Sequence, residues 1–333
     1  MIYSVTPGHV SVGGVGTYQY QLDRVFKHKI TFVSSTESFS DLLTFAIPGL
    51  QRVPSIASIV KYAGFCTRLK RDDTVIYHAT AGMLMLLIQK LIRPKIRSVL
   101  VVHGFASKYD KKLRLLEYMA VKLSNKIVSM NQSDFSDLLR FKSRRKISMI
   151  YNSSEFYKEG VASYSGNVIS ISRHEPQKDI SYLLGDLMGS DVLQQLGKSF
   201  TVYGGGVGFS KNSLVVENDP RLANLRFVER ESKERIFNNV FCFVLATKSE
   251  GFPISIIEAA NCGIPIIVSR IPDLESILFD FVLYIDSANE LHEILFSLHN
   301  EENWNYWSKK SFELADKYRF DEFSSRWKEV VYD

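Results

Sequence analysis

Glu250 and Glu258 stand eight residues apart in the stretch Ser249–Ser269, SEGFPISIIEAANCGIPIIVS, between two apolar runs. A carboxylate accepts two hydroxyl hydrogen bonds, which suits a polyol ligand. Gly251 lets the backbone turn sharply beside a ligand. Pro253 fits the first turn of a helix and Gly263 its stop. Glu250 is therefore expected on a loop after the apolar strand Val240–Thr247. Glu258 is expected inside an apolar helix, followed by Ala259 and Ala260, where an acid needs a polar partner. The competing reading makes Glu250 a helix cap and Glu258 a surface charge.

Arg173 and Lys178, in SISRHEPQKD, follow a strand expected over Asn167–Ser172. A planar bidentate fork and a compact point charge together suit a diphosphate, although a solvated loop would look the same. Gly13-Gly14-Val15-Gly16 sits between the first strand and a helix from Thr17, where backbone N–H groups favour phosphate. A dinucleotide loop is the alternative, but the spacing is not G-x-G-x-x-G, and Ser35-Thr36-Glu37 is a loose match for the acidic strand end it requires. His103 ends the strand Ser98–His103, as a site residue or as a satisfied core histidine. Gly204-Gly205-Gly206 follows the strand Ser199–Gly204 and permits close approach of chain and ligand. No D-x-D occurs, and no His, Cys and carboxylate cluster has ligand spacing. A metal-clamped diphosphate is therefore not expected.

Strand and helix signals alternate over the whole length, which predicts parallel sheets covered by helices on both faces. Further strands are expected at Ile2–Thr6, Ile30–Ser34, Thr74–His78, Lys126–Met130, Leu225–Val228, Ile264–Ser269 and Val282–Ile285. Helices are expected at Thr17–Phe26, Ala81–Leu91, Lys111–Ser124, Gln132–Lys142, Asp179–Leu187, Lys233–Asn238, Pro253–Cys262, Asp273–Leu278 and Ala288–Leu298. At 333 residues the chain exceeds a usual single domain. Residues 1–150 hold 23 lysines and arginines against 9 aspartates and glutamates, a net +14. Residues 151–333 hold 18 against 27, a net −9. This asymmetry predicts two doubly wound domains, 1–150 and 151–315, joined in the polar stretch Tyr151–Gly166. Ligands of such sheets sit beyond the carboxyl ends of the strands, where the residues above are placed.

The run E-G-F-P-x4-E-A-x3-G-x-P, from Glu250 to Pro265, resembles the paired-glutamate signature of retaining glycosyltransferases of family four, which have the GT-B fold. The resemblance implies two Rossmann-like domains facing a central cleft, with residues 316–333 returning as a helix to the first domain. It implies that Glu250 meets the donor sugar, with Gly251 and Phe252 beside it, and that Glu258 binds the ribose of the nucleotide. Arg173 and Lys178 match the family's Arg-x4-Lys pair on the donor diphosphate. Asp179 stands where the family often has glycine. Gly14 and Gly16 correspond to the first glycine-rich loop, Gly205 to the later one, and His103 to the strand-end histidine near the transferred sugar. Asn152 and Glu275 match a junction asparagine and a glutamate near the base and ribose. The implied activity is transfer of a hexosyl group from a nucleotide sugar, with retention, to a glycan or polyprenyl-diphosphate-linked acceptor in bacterial surface-polysaccharide synthesis. No metal or other cofactor is implied. The rivals are a GT-B-like sugar-nucleotide epimerase, a nicotinamide-dependent oxidoreductase and a membrane-bound scaffold.

The basic first half offers Lys108, Lys111, Lys112, Arg114, Lys122 and Lys126 on an amphipathic segment, and FKSRRK over Phe141–Lys146. These cations suit an anionic membrane face, or a solvated helix surface. Nucleic acid is not expected, since no binding module accompanies the charge. Met1–Pro7 reads as a strand and not as a secretory leader, and Ala81–Ile88 is far shorter than the ~20 residues of a membrane span. Cys66, Cys242 and Cys262 lack metal-type spacing, and the last two fit buried thiols. The expected location is the cytoplasm, peripheral at the inner membrane face.

Overall fold

A computed structural model describes residues 1–6, 13–35, 43–50, 54–103, 111–178, 180, 183, 191–286 and 290–333. They form two compact units, Met1–Asn152 with Phe320–Asp333, and Ser153–Arg319.

The first unit runs β1 (Ile2–Val5), α1 (Gly13–Val25), β2 (Ile30–Ser34), β3 (Thr44–Ala46), α2 (Ile56–Arg68), β4 (Thr74–His78), α3 (Ala79–Ile92), β5 (Arg97–Val102), α4 (Arg114–Leu123), β6 (Lys126–Ser129), α5 (Gln132–Leu139) and β7 (Ile147–Met149). Its seven strands are all parallel, in the order β3-β2-β1-β4-β5-β6-β7. The order reverses at β1 and β4, so the switch point lies at their carboxyl ends. Side chains alternate across the sheet. Val5, Tyr77, Leu100 and Val102 face one core, with Tyr62 of α2 and Met85 of α3. Ile76, Val99 and Val101 face the other, with Tyr18 and Leu22 of α1.

The second unit runs β8 (Ala162–Ile171), α6 (Val192–Gln195), β9 (Phe200–Tyr203), α7 (Phe209–Asn218), β10 (Leu225–Val228), α8 (Lys233–Ile236), β11 (Val240–Leu245), α9 (Ile254–Asn261), β12 (Ile266–Ser269), α10 (Pro272–Leu278), β13 (Leu283–Ile285), α11 (Glu290–Leu298) and α12 (Glu301–Lys317). Its sheet is also parallel, in the order β10-β9-β8-β11-β12-β13, with the switch point at β8 and β11. Val168, Val202, Phe241 and Val244 build its core with Leu291 and Leu295 of α11. The Trp304 indole N–H of α12 donates to the Phe241 carbonyl at 2.8 Å.

The last helix, α13 (Phe320–Tyr332), packs in the first unit. Its Phe323, Trp327, Val330 and Val331 complete the core around Tyr18 and Ile76. Trp327 is fully buried, and its indole N–H donates to the Tyr18 hydroxyl at 3.1 Å. All three cysteines are buried free thiols.

Several sequence expectations shift. Gly13 to Gly16 is not a loop ahead of a helix but the first turn of α1. The Lys111–Ser124 helix splits into a 3-10 turn, Lys111–Leu113, and α4. The helix from Gln132 stops at Leu139, and beyond it the Lys142 ammonium donates to the Val121, Lys122 and Ser124 carbonyls at the end of α4. The division between units falls after Asn152, and Ala162–Gly166 of the expected joint already belongs to β8. Residues 316–319 lie with the second unit: α12 continues to Lys317, and the Tyr318 hydroxyl donates to the Ile277 carbonyl. Helices α2, α6, α7 and α12 and strands β3 and β7 go beyond the sequence expectations. The helix expected at Asp179–Leu187 falls almost wholly outside the described residues.

Candidate functional site

The second unit assembles most of the sequence-predicted residues at its switch point. The loop after β8 carries Arg173 and Lys178, and the loop after β11 carries Glu250. Backbone and side-chain bonds zip the two loops together. The Gln177 carbonyl accepts from the Lys248 N–H at 2.9 Å and from the Thr247 hydroxyl at 3.2 Å. The Gln177 side-chain amide donates to the Ser249 carbonyl at 2.7 Å. Held in this way, Lys178 and Glu250 form an ion pair, with side chains only 14% and 8% exposed. Glu250 is thus not a helix cap, and α9 begins beyond it at Ile254, after Pro253.

Burial pushes the Lys178 ammonium down to about 8. The nearby Arg173 guanidinium acts in the same direction, and Glu175 opposes it. Lys178 thus stays charged at neutral pH but is poised near its titration. Arg173 is largely open to solvent and is held by Glu175 at 2.8 Å. An exposed pair of this kind is worth only about 0–1 kcal/mol, so the guanidinium is available to an anion.

The loop after β9 lies against the loop after β8. The His174 N–H donates to the Gly205 carbonyl, and the Gly208 N–H to the His174 carbonyl, both at 2.9 Å. Gly204 and Gly206 have φ of +143° and +141°. A Cβ on Gly204 would lie 2.4 Å from the Ser172 carbonyl oxygen, and one on Gly206 would lie 2.9 Å from the His174 nitrogen. Only glycine meets both the backbone angle and the approach. A Cβ on Gly205 would meet Glu229 at 2.9 Å. His174 is buried between Phe209 and Phe227, and its Nε2 has no hydrogen-bond partner among the described residues.

Glu258 lies on α9 and is buried, which removes the surface-charge reading. The polar partner that such an acid requires is Lys233, at the start of α8. The Phe252 ring is buried edge-on against Tyr318, 4.9 Å between centroids, so this side chain belongs to the packing beneath the loop. Gly251 is part-exposed beside Glu250. Glu275 pairs with Arg270 at 3.0 Å, and Arg270 also holds Asp286 at 2.8 Å.

The remaining predicted residues belong to the first unit. His103 is half-buried just past β5, 3.2 Å from the ring of His78. Gly14 and Gly16 lie in the first turn of α1, whose leading N–H groups have no partner within the helix. Lys108 and Gly104 lie outside the described residues. Asn152, the last residue of the unit before the chain crosses, is buried. A cavity of about 640 Å³ is lined by the cations Lys111, Lys112, Arg114 and Arg140, the acids Glu117 and Asp137, and Leu115, Tyr118, Val121 and Phe141. Among the described residues, no helix is long and apolar enough to cross a membrane.

Three participants escaped the sequence reading. Lys233 gives no local signal, since 25 residues separate it from Glu258. Gln177 acts through its backbone as much as its side chain. His78 carried a usable sign, because it ends β4 while His103 directly follows the strand beside it.

Residues 165–295 match the model of the family described as glycosyl transferases group 1. An uncharacterized glycosyltransferase of Methanocaldococcus jannaschii, MJ1178, is 22% identical, across 93% of this chain and 92% of its own. Among solved structures, Anabaena Alr3699/HepE in complex with UDP and glucose superposes with a TM-score of 0.81 at 11% identity, over 99% of both chains. The S. aureus protein TarM superposes with a TM-score of 0.69 at 16% identity, over 83% of this chain, which spans 58% of TarM's length. Two parallel-sheet Rossmann-like units with these neighbours make the fold GT-B, and with the group 1 match they support a GT-B glycosyltransferase.

Proposed function

We propose that the protein moves a hexosyl group from a nucleotide sugar to a glycan acceptor with retention of configuration. The observation that carries this reading is the Lys178–Glu250 contact across the switch point, with Arg173 alongside. A cation pair and a carboxylate on zipped loops match the two ends of an activated sugar, a diphosphate and a set of hydroxyls. The Lys178 ammonium has three N–H donors, so it can keep Glu250 and still reach a phosphate oxygen. Arg173 adds a bidentate fork.

In the proposed reaction the bond from the anomeric carbon to the diphosphate oxygen breaks while the acceptor hydroxyl attacks from the same face. The hydroxyl proton passes to the departing diphosphate. Arg173 and Lys178 stabilise the charge that develops there, and no metal is assigned to it. Glu250 orients the sugar hydroxyls, and Glu258, held by Lys233, receives the ribose. The N–H groups of Gly14 and Gly16 and the loop at Gly205 serve the phosphates. His103 faces the transferred sugar.

The acceptor is proposed to be lipid-linked, a polyprenyl diphosphate carrying a growing surface glycan at the inner membrane face. The support is the exposed face of α4 and α5. Leu115, Tyr118, Met119, Leu123 and Phe141 are exposed there among the basic residues. Apolar side chains beside four cations and two acids, a net positive surface, suit an anionic bilayer, at about 1 kcal/mol per basic residue near it.

A panel of nucleotide sugars scored by protection against thermal unfolding identifies the donor, because binding stabilises in proportion to affinity. The anomeric configuration of the product then tests retention. Conversion of the donor without any acceptor would identify an epimerase and overturn the proposal. Flotation with vesicles containing anionic lipid tests the docking surface, and binding equal to that of neutral vesicles would remove it.

A further inference from the structure

A line of side-chain hydrogen bonds runs through the first unit beneath its switch point. The Gln19 side-chain amide N–H donates to the Thr6 hydroxyl at 2.9 Å. The Ser4 hydroxyl donates to the Gln19 side-chain oxygen at 2.7 Å. His78 Nε2 lies 3.0 Å from the Ser4 oxygen, and His78 Nδ1 lies 3.2 Å from His103 Nε2. Ser4, Gln19 and His78 are fully buried, and Thr6 nearly so.

The line has a direction. Gln19 places its amide nitrogen on Thr6, so its oxygen, which can only accept, faces Ser4. The single Ser4 hydrogen is committed to that oxygen, so Ser4 can only accept from His78. His78 Nε2 must therefore carry a proton. A neutral imidazole has one N–H, which leaves His78 Nδ1 as an acceptor, and His103 must donate to it from Nε2. Burial keeps both rings neutral. It drives His78 well below the usual histidine range, with His103 adding to the effect, and takes His103 down to about 4. Both rings pack in T-shaped pairs with Tyr18, at centroid distances of 5.7 and 5.5 Å.

We infer that His78 is a positioning residue: it fixes His103 as the Nε2–H tautomer, so that His103 offers its Nδ1 lone pair to a hydroxyl hydrogen of the sugar being transferred. This rests on the reading of His103 as a sugar-facing residue.

The test is nitrogen NMR on the full chain with histidine labelled by nitrogen-15, using His103→Asn to assign the His103 ring. At neutral pH the wild type should show His103 with Nε2 protonated and Nδ1 bare. A protonated Nδ1 would overturn the inference without any variant being made. His78→Phe should release the tautomer into a mixture and lower kcat about tenfold, the range of one neutral hydrogen bond, with KM for the donor little changed. His78→Gln can donate to Ser4 and accept from His103, so it should restore both the tautomer and most of the turnover. Should the Phe variant not fold, Ser4→Ala serves in its place, and an unchanged single tautomer there would count against the proposal. A wild type that turns over no nucleotide sugar defeats the functional reading and leaves the tautomer result standing. Transfer with an Nδ1–H His103 defeats this inference alone.

Discussion

In both units a side-chain contact spans the switch point of a parallel sheet. In the first it joins Ser4 on β1 to His78 on β4; in the second it joins Lys178 after β8 to Glu250 after β11. The first contact is neutral and fully buried. The second is charged and keeps some exposure. Neutral donors and acceptors can be buried once each is matched, so they can dictate which atom carries a hydrogen. An ammonium and a carboxylate lose much more on full burial, so they stay near solvent, where an incoming anion can share the cation. The same sheet geometry thus sets orientation in one unit and charge in the other.

The comparison breaks most severely if one unit is unfolded and the other is not. Trp327→Ala removes a fully buried indole from the first unit, at a cost of about 3–5 kcal/mol. Calorimetry should show one transition moving down sharply, while nucleotide sugar still protects the other. A single joint transition would mean that the units do not melt separately.

Glu250→Gln keeps the size of the side chain and removes its charge. It should lower kcat about 100- to 1,000-fold, as loss of one transition-state contact does, with the melting temperature held within a few degrees. A loss under about tenfold would reduce Glu250 to a counterion for Lys178.

The charged contact should also leave a pH signature. Lys178 titrates near 8, and its ammonium is the active form, so kcat/KM should fall as pH rises through that value. Lys178→Arg stays protonated throughout and should lack this limb. A limb that persists in the variant would belong to another group. The smallest expected effect is from a chelator, which should change turnover by less than about twofold if the two cations alone carry the diphosphate. Abolition by chelation, with rescue by a divalent ion, would assign that charge to a metal.

Much of the charged contact was legible in the sequence because its signals are local. Pro253 and Gly263 bracket α9, and the apolar run before Lys248 marks β11, so Glu250 and Glu258 could be placed on a loop and a helix. Lys233 could not be found, because its partner Glu258 lies 25 residues away and nothing near Lys233 in the chain points to it. The neutral contact was not legible, and only its neighbour His103 was. His103 stood out at a strand end, but His78 closes a strand buried along its whole length and reads as the end of a core segment. Strands β3 and β7 are three residues each, too short for alternation to register. Helix α12 buries only Trp304, Ser311 and Leu314, so its polar sequence gave little periodic signal.

The first unit is assembled from two stretches of chain, with all of Ser153–Arg319 between them. A ribosome therefore synthesises all of Ser153–Arg319 before it reaches Trp327. Until then Ile76, Val101 and Tyr18 have no α13 against them, and the nascent first unit exposes an oily wall. Truncation within Phe320–Tyr332 would leave a complete second unit attached to a half-finished, sticky first one.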